Sequence, residues 1–203
     1  MSARRYRLAL LAFGVAYAVL HHLGLLSGVL GDAPRGTRWI DWVDLLVPYL
    51  VIGPAVWAAV AAPLARRWWP VLVVGAIAYA SGHGIHLAAN SIAHVAPGPT
   101  AYLWDEVVGH IIWYAGFALM AAAVASTFVG RVRPPAWGHM IAAAMGLTWA
   151  TNALGAVGWV WPAAAIAVAA SFAGWRMRRG LGVVLLTVGG SALLTLAVSA
   201  AVP

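Results

Sequence analysis

Residues 70–95 read PVLVVGAIAYASGHGIHLAANSIAHV. No acid and no arginine interrupts them, and the stretch exceeds the ~20 residues that carry a helix across a ~30 Å hydrocarbon core. It predicts a membrane-spanning helix. A helix turns by about 100° per residue, so His83, His86, Asn90 and His94 fall within about 80° of one another, on one face. A charged side chain at membrane depth costs ~2.5–3.5 kcal/mol on insertion scales, which leaves ionisable groups paired, metal-bound or facing water. The same stretch therefore predicts a span and locates a polar site within it.

The turn Ala96-Pro97-Gly98-Pro99-Thr100 leads to a second apolar run headed by Asp105-Glu106-Val107-Val108-Gly109-His110. A turn this tight makes the two helices antiparallel neighbours. Between His83 and His110 stand four of the seven histidines, two of the five acids and one of the two asparagines. Gly75 and Gly82 on one helix, with Gly109 and Gly116 on the other, are small enough to let the backbones touch, the usual basis of helix association in lipid.

Outward from this pair the chain is apolar. Of its 203 residues 64% are hydrophobic and 8% charged, where a soluble domain is about a quarter charged. Seven apolar runs predict an all-α, polytopic, seven-helix bundle occupying residues 1–203 as one domain. They are Tyr6–Leu30, Asp41–Leu64, Pro70–Val95, Leu103–Val129, Ala136–Val157, Val160–Trp175 and Leu181–Val202. The first is preceded by Arg4, Arg5 and Arg7 in the manner of a signal peptide. It outlasts a cleaved signal core, ends on no small-x-small site, and is read as the first span.

The arginines support that count. With the N-terminus in the cytoplasm, ten of the twelve (Arg4, Arg5, Arg7, Arg66, Arg67, Arg131, Arg133, Arg176, Arg178, Arg179) fall inside. Arg35 and Arg38 fall outside, together with all five acids, Asp32, Asp41, Asp44, Asp105 and Glu106. This positive-inside bias predicts a cytoplasmic N-terminus and an extracytoplasmic C-terminus, in the cytoplasmic membrane of a bacterium. It also accounts for the net charge of +7 without nucleic acid as a partner. Tryptophans clustered at the run ends form the aromatic belts of an interface. The chain has no cysteine, lysine or glutamine, which excludes disulfides, thiolate ligands, a cysteine nucleophile and a lysine Schiff base.

Polar residues of five runs reach one outer layer. At ~1.5 Å of rise per residue, His110 comes level with Asn90 and within reach of His86, and Glu106 shares a face with His110. His21 and His22 lie about two turns below the outer end of the first run. Asp44 lies about one turn down the second, and Asn152 lies in the outer half of the fifth. Histidines and carboxylates without sulfur suit zinc, iron, copper or manganese. The expected ligands of a divalent ion, zinc or iron foremost, are His22, His86, His110 and Glu106. Glu106 or Asp44 is the expected general base, with His83, Asn90, His21 and Asp105 around them as orienting groups. His94 reads as surface, and His139 as an isolated histidine at the opposite interface.

The expected function is a membrane-embedded metalloenzyme, hydrolase or oxidoreductase, acting on a lipid-like or isoprenoid substrate that enters from the bilayer. Two alternatives stand beside it. One is an electron-transfer protein, quinone-linked or holding haem b between histidines such as His86 and His110. The other is a non-catalytic transporter or a subunit of a larger complex, although the near absence of polar groups in the inner half disfavours a through-pathway. The layout is similar to the CREST-type group of seven-helix membrane hydrolases, in which helix-borne His and Asp hold zinc. That group carries an HxxxH pair on its last helix. The seventh run here has no histidine and no acid, so the similarity is architectural and implies no correspondence of residues.

Overall fold

The computed structural model describes residues 3–62, 64–128, 134–156, 158–177 and 180–201. Among them the regular structure is helical, with no strand and one isolated bridge, Asp32 to Arg38. The principal helices are α1 (Ala3–Leu20), α2 (Trp39–Asp44), α3 (Val47–Ala61), α4 (Trp69–Val95), α5 (His110–Ala125), α6 (Ala136–Gly155), α7 (Val160–Arg176) and α8 (Val183–Ala201). Arg131, Arg133, Arg178 and Arg179, as well as the run ends Val129, Val157 and Val202, lie outside the described residues.

Four helical segments are long and apolar enough to cross a membrane: Trp39–Ala61, Arg66–Val95, Pro99–Ala125 and Val183–Ala201. A fifth is added if Ala3–Leu20 and Leu23–Leu30, bent by 44° at their junction, form one span. The first run is therefore broken where a single helix to Leu30 was expected. The break has a cause in its hydrogen bonding. The Ala18 carbonyl, which the His22 amide would bond in a continuing helix, accepts instead from Thr148 Oγ1 at 3.1 Å, and the His22 amide turns to the Val19 carbonyl at 3.1 Å. The helix α7, with 17 residues, rises only about 25 Å at 1.5 Å per residue. In α6 the side chains of Trp137, His139, Thr148, Thr151 and Asn152 dilute the apolar character.

The break between the fifth and sixth runs is present. α6 ends at Gly155, and Gly158 turns the chain at φ 77°, in the left-handed region open to glycine. Pro70 and Pro48 each stand in the first turn of their helix, where a missing N–H costs nothing. The helix α4 packs most extensively on α5, and α1 packs on α3. A second group forms as α8 packs on both α6 and α7, and α1 against α6 joins the two groups.

Candidate metal centre

The contact that builds the site is the α4–α5 pair. A Cβ placed on Gly82 would overlap the backbone nitrogen of Trp113, and one on Gly116 would overlap that of Tyr79. At Gly75 it would come within 2.6 Å of the Met120 nitrogen, and at Gly109 within 2.8 Å of the His86 nitrogen. The four glycines singled out in the sequence thus form one backbone-to-backbone seam. It brings the His86 and His110 rings to a centroid distance of 4.5 Å.

The start of the fifth helical segment deepens the site. Leu103–Gly109 is π-helical, leading into α5 at His110. With i to i+5 bonding, Asp105 shares a face with His110, and such wide turns recur at functional sites. Asp105 is buried, and its Oδ1 lies 2.5 Å from His86 Nδ1. The two atoms are close but lack the alignment of a hydrogen bond. Glu106 Oε2 lies 3.8 Å from His110 Nδ1. Asp105 is therefore more central than an outlying orienting residue, because the wide turn rotates it inward.

Among the described residues, seven buried side-chain polar atoms have no hydrogen-bond partner. Five belong to this cluster: His83 Nδ1, His86 Nδ1, Asp105 Oδ1, Glu106 Oε2 and His110 Nδ1. Asn152 Nδ2 is a sixth. Buried polar groups in folded proteins are almost always satisfied, so a concentration of five in one place asks for an explanation. His83 shows how the set is held. Its Nε2 donates to the Asp44 carbonyl at 3.1 Å and lies 3.5 Å from Asp44 Oδ1. A carbonyl oxygen only accepts, so Nε2 carries a proton in this arrangement.

Trp113 is the hub. Its ring lies 5.3 Å from that of His21, 4.8 Å from His83, 5.3 Å from His86 and 5.5 Å from His110. His21 reaches this group through the break after α1, and its Nε2 bonds the Tyr79 hydroxyl at 2.8 Å. Its neighbour His22 faces elsewhere, with Nε2 3.0 Å from Thr148 Oγ1 on α6. Asn90 also turns away from the histidines, its Oδ1 accepting from Arg38 Nη2 at 2.9 Å. Arg38 in turn pairs with Asp41 at 2.8 Å, and Ser91 donates to the same carboxylate at 2.8 Å. This Arg38–Asp41–Asn90–Ser91 network ties the loop before α2 to α4. Its signal in sequence was an Arg three residues before an acid at a helix start. His94 lies 3.7 Å from the exposed Asp32, and His139, far from the cluster in sequence, bonds Thr187 at 2.8 Å.

The donor set suits a divalent ion, but its present arrangement is not a closed cage. Among the described residues, no three His, Asp or Glu side chains are placed to hold a metal ion jointly.

No protein family, curated protein or solved structure matches the chain.

Site chemistry therefore rests on the residues themselves. Two imidazoles face two carboxylates, aromatic rings close one side, and a glycine seam fixes the distance between the helices.

Proposed function

We propose that the protein is an integral membrane protein of seven spans, N-terminus cytoplasmic, whose outer half holds a divalent metal ion at His86, His110, Asp105 and Glu106. The observation that carries the reading is the group of buried atoms without a hydrogen bond in those four side chains. These atoms face one another as His–carboxylate pairs but make no hydrogen bond, and buried polar atoms without hydrogen bonds are expensive; a cation would satisfy them together. Among the described residues no three donors are placed to hold an ion jointly, so binding there would require side-chain rotation. In this reading His83 is a positioning residue outside the ligand set, and His22, whose Nε2 faces Thr148, is left out of it.

A zinc or iron ion bound there would supply Lewis acidity. With Asp105 and Glu106 given to the ion, Asp44, 3.5 Å from His83 Nε2, would be the group that holds and releases a proton. Trp113 and Tyr114 keep bulk water off the inner side. We assign the protein to membrane-embedded metalloenzymes acting on a lipid-like substrate in a bacterial cytoplasmic membrane. The spans, the arginine distribution and the outer placement of all acids support that assignment.

A second reading is favoured by the pairing itself. Three His–carboxylate contacts, His83 with Asp44, His86 with Asp105 and His110 with Glu106, run side by side, as in a proton-sharing array. Elemental analysis with a visible spectrum of detergent-purified protein separates the two. About one zinc or iron per chain without a Soret band supports the metalloenzyme. Iron with a Soret band moves the reading to haem b, and no metal after growth in supplemented medium leaves the proton array.

A further inference from the structure

The arginine-rich end of the bundle holds a feature that the His/carboxylate site does not use. A cavity of about 510 Å³ lies between the two helix groups, bounded by α1, α5, α6, α7 and α8. It exists because α1 and α6 join the groups on one side, while α5 and α7 make no extensive contact across the other. Its walls are hydrocarbon from small and medium side chains such as Leu10, Ala118, Ala121 and Ala170. Tyr17, Phe117 and Trp149 line it toward the histidine layer, and Arg7, Trp68 and Trp137 line it toward the other end.

An apolar space of this size, within the ~300–1,000 Å³ of small-molecule sites, does not hold water stably. Left unfilled, its lining would forfeit dispersion contacts. Its occupant is therefore hydrocarbon, which a bilayer supplies in quantity. The polar end of that occupant is set by charge. Arg7 is exposed and has no ion-pair partner among the described residues. Arg4, Arg5, Arg66, Arg67 and Arg176 are exposed near the same helix ends. Basic pockets between membrane helices are sites for anionic headgroups.

We propose that this cavity takes one acyl chain of an anionic phospholipid, with the lipid phosphate held by Arg7 at the mouth. The site is distinct from the histidine centre and requires no metal. It does rest on the reading of the chain as a membrane protein.

The test uses the full-length protein extracted from membranes, washed in detergent and analysed by native mass spectrometry for retained lipid. Alkaline carbonate extraction is run in parallel, and release of the chain from membranes would sink the membrane reading itself. With the protein membrane-bound, wild type should keep about one phosphatidylglycerol per chain, and added phosphatidylglycerol should raise the thermal midpoint where phosphatidylcholine of the same chains does not. Ala170→Phe fills the cavity and should lose most of the retained lipid. Leu194→Phe, on an exposed face of α8, should not. Arg7→Gln should retain lipid but bind the two headgroups equally. No retained lipid in wild type, equal retention in wild type and Ala170→Phe, equal loss in Ala170→Phe and Leu194→Phe, or unchanged headgroup preference in Arg7→Gln would each overturn the proposal.

Discussion

Replacing Gly82 by Ala isolates the contact that assembles the candidate centre. Gly84, two residues away, is the internal control, because a Cβ there meets nothing within 4 Å. Both changes remove a helical glycine, which by propensity alone stabilises a helix by up to about 1 kcal/mol. At Gly82 the new methyl would overlap the Trp113 nitrogen and come within 2.6 Å of its Cα. Ordinary contact begins beyond 3.4 Å, and the obstacle is backbone, which cannot rotate aside. Overpacking of this kind costs about 1–3 kcal/mol. The propensity gain is common to both variants and cancels, so Gly82→Ala should lie below Gly84→Ala by the overpacking cost alone, about 1–3 kcal/mol. The measurement is reversible unfolding in mixed micelles followed by tryptophan fluorescence. Opening the seam also parts His86 from His110, so Gly82→Ala should lose bound metal while Gly84→Ala keeps it. Equal stability of the two variants, or full metal in Gly82→Ala, would refute the seam as the element that builds the site.

Asp105→Asn should weaken metal binding by at least ~10-fold in competition with a chelator, the scale on which supporting groups of a metal site act; unchanged affinity would remove Asp105 from the set. Trp113→Ala should destabilise the bundle by about 3–5 kcal/mol, as for other buried tryptophans, seen as a lower unfolding midpoint in the same micelles. Asp41→Asn leaves Arg38 without its charged partner and should cost about 1.5–3 kcal/mol, whereas His94→Ala, at the exposed contact with Asp32, should be near neutral. His22→Ala should keep full metal, because its ring is engaged by Thr148.

What was legible in the sequence followed the helical period. His86 and His110 meet because both lie on strongly apolar helices joined by a short turn, and Gly75, Gly82, Gly109 and Gly116 announce a close crossing by size alone. What was not legible depended on departures from that period. Asp105 turns inward because Leu103–Gly109 is wound as a π-helix, which no 3.6-residue reading contains. His21 rather than His22 joins the aromatic ring around Trp113 because the first helix breaks there. Asn90 belongs to Arg38 because the loop before α2 folds back onto α4, a tertiary choice with only a weak local signal. The cavity between the helix groups had no signature either, since alanine-rich faces read the same whether they pack or stand apart.

The most direct test of the central claim is the metal content of three variants purified alongside wild type: His86→Ala, His110→Ala and His139→Ala. His139 bonds Thr187 on α8, away from the carboxylates. The account predicts about one metal per chain in wild type and in His139→Ala, and well below that in His86→Ala and His110→Ala. Full metal in all three, or loss equal in His139→Ala, would contradict it.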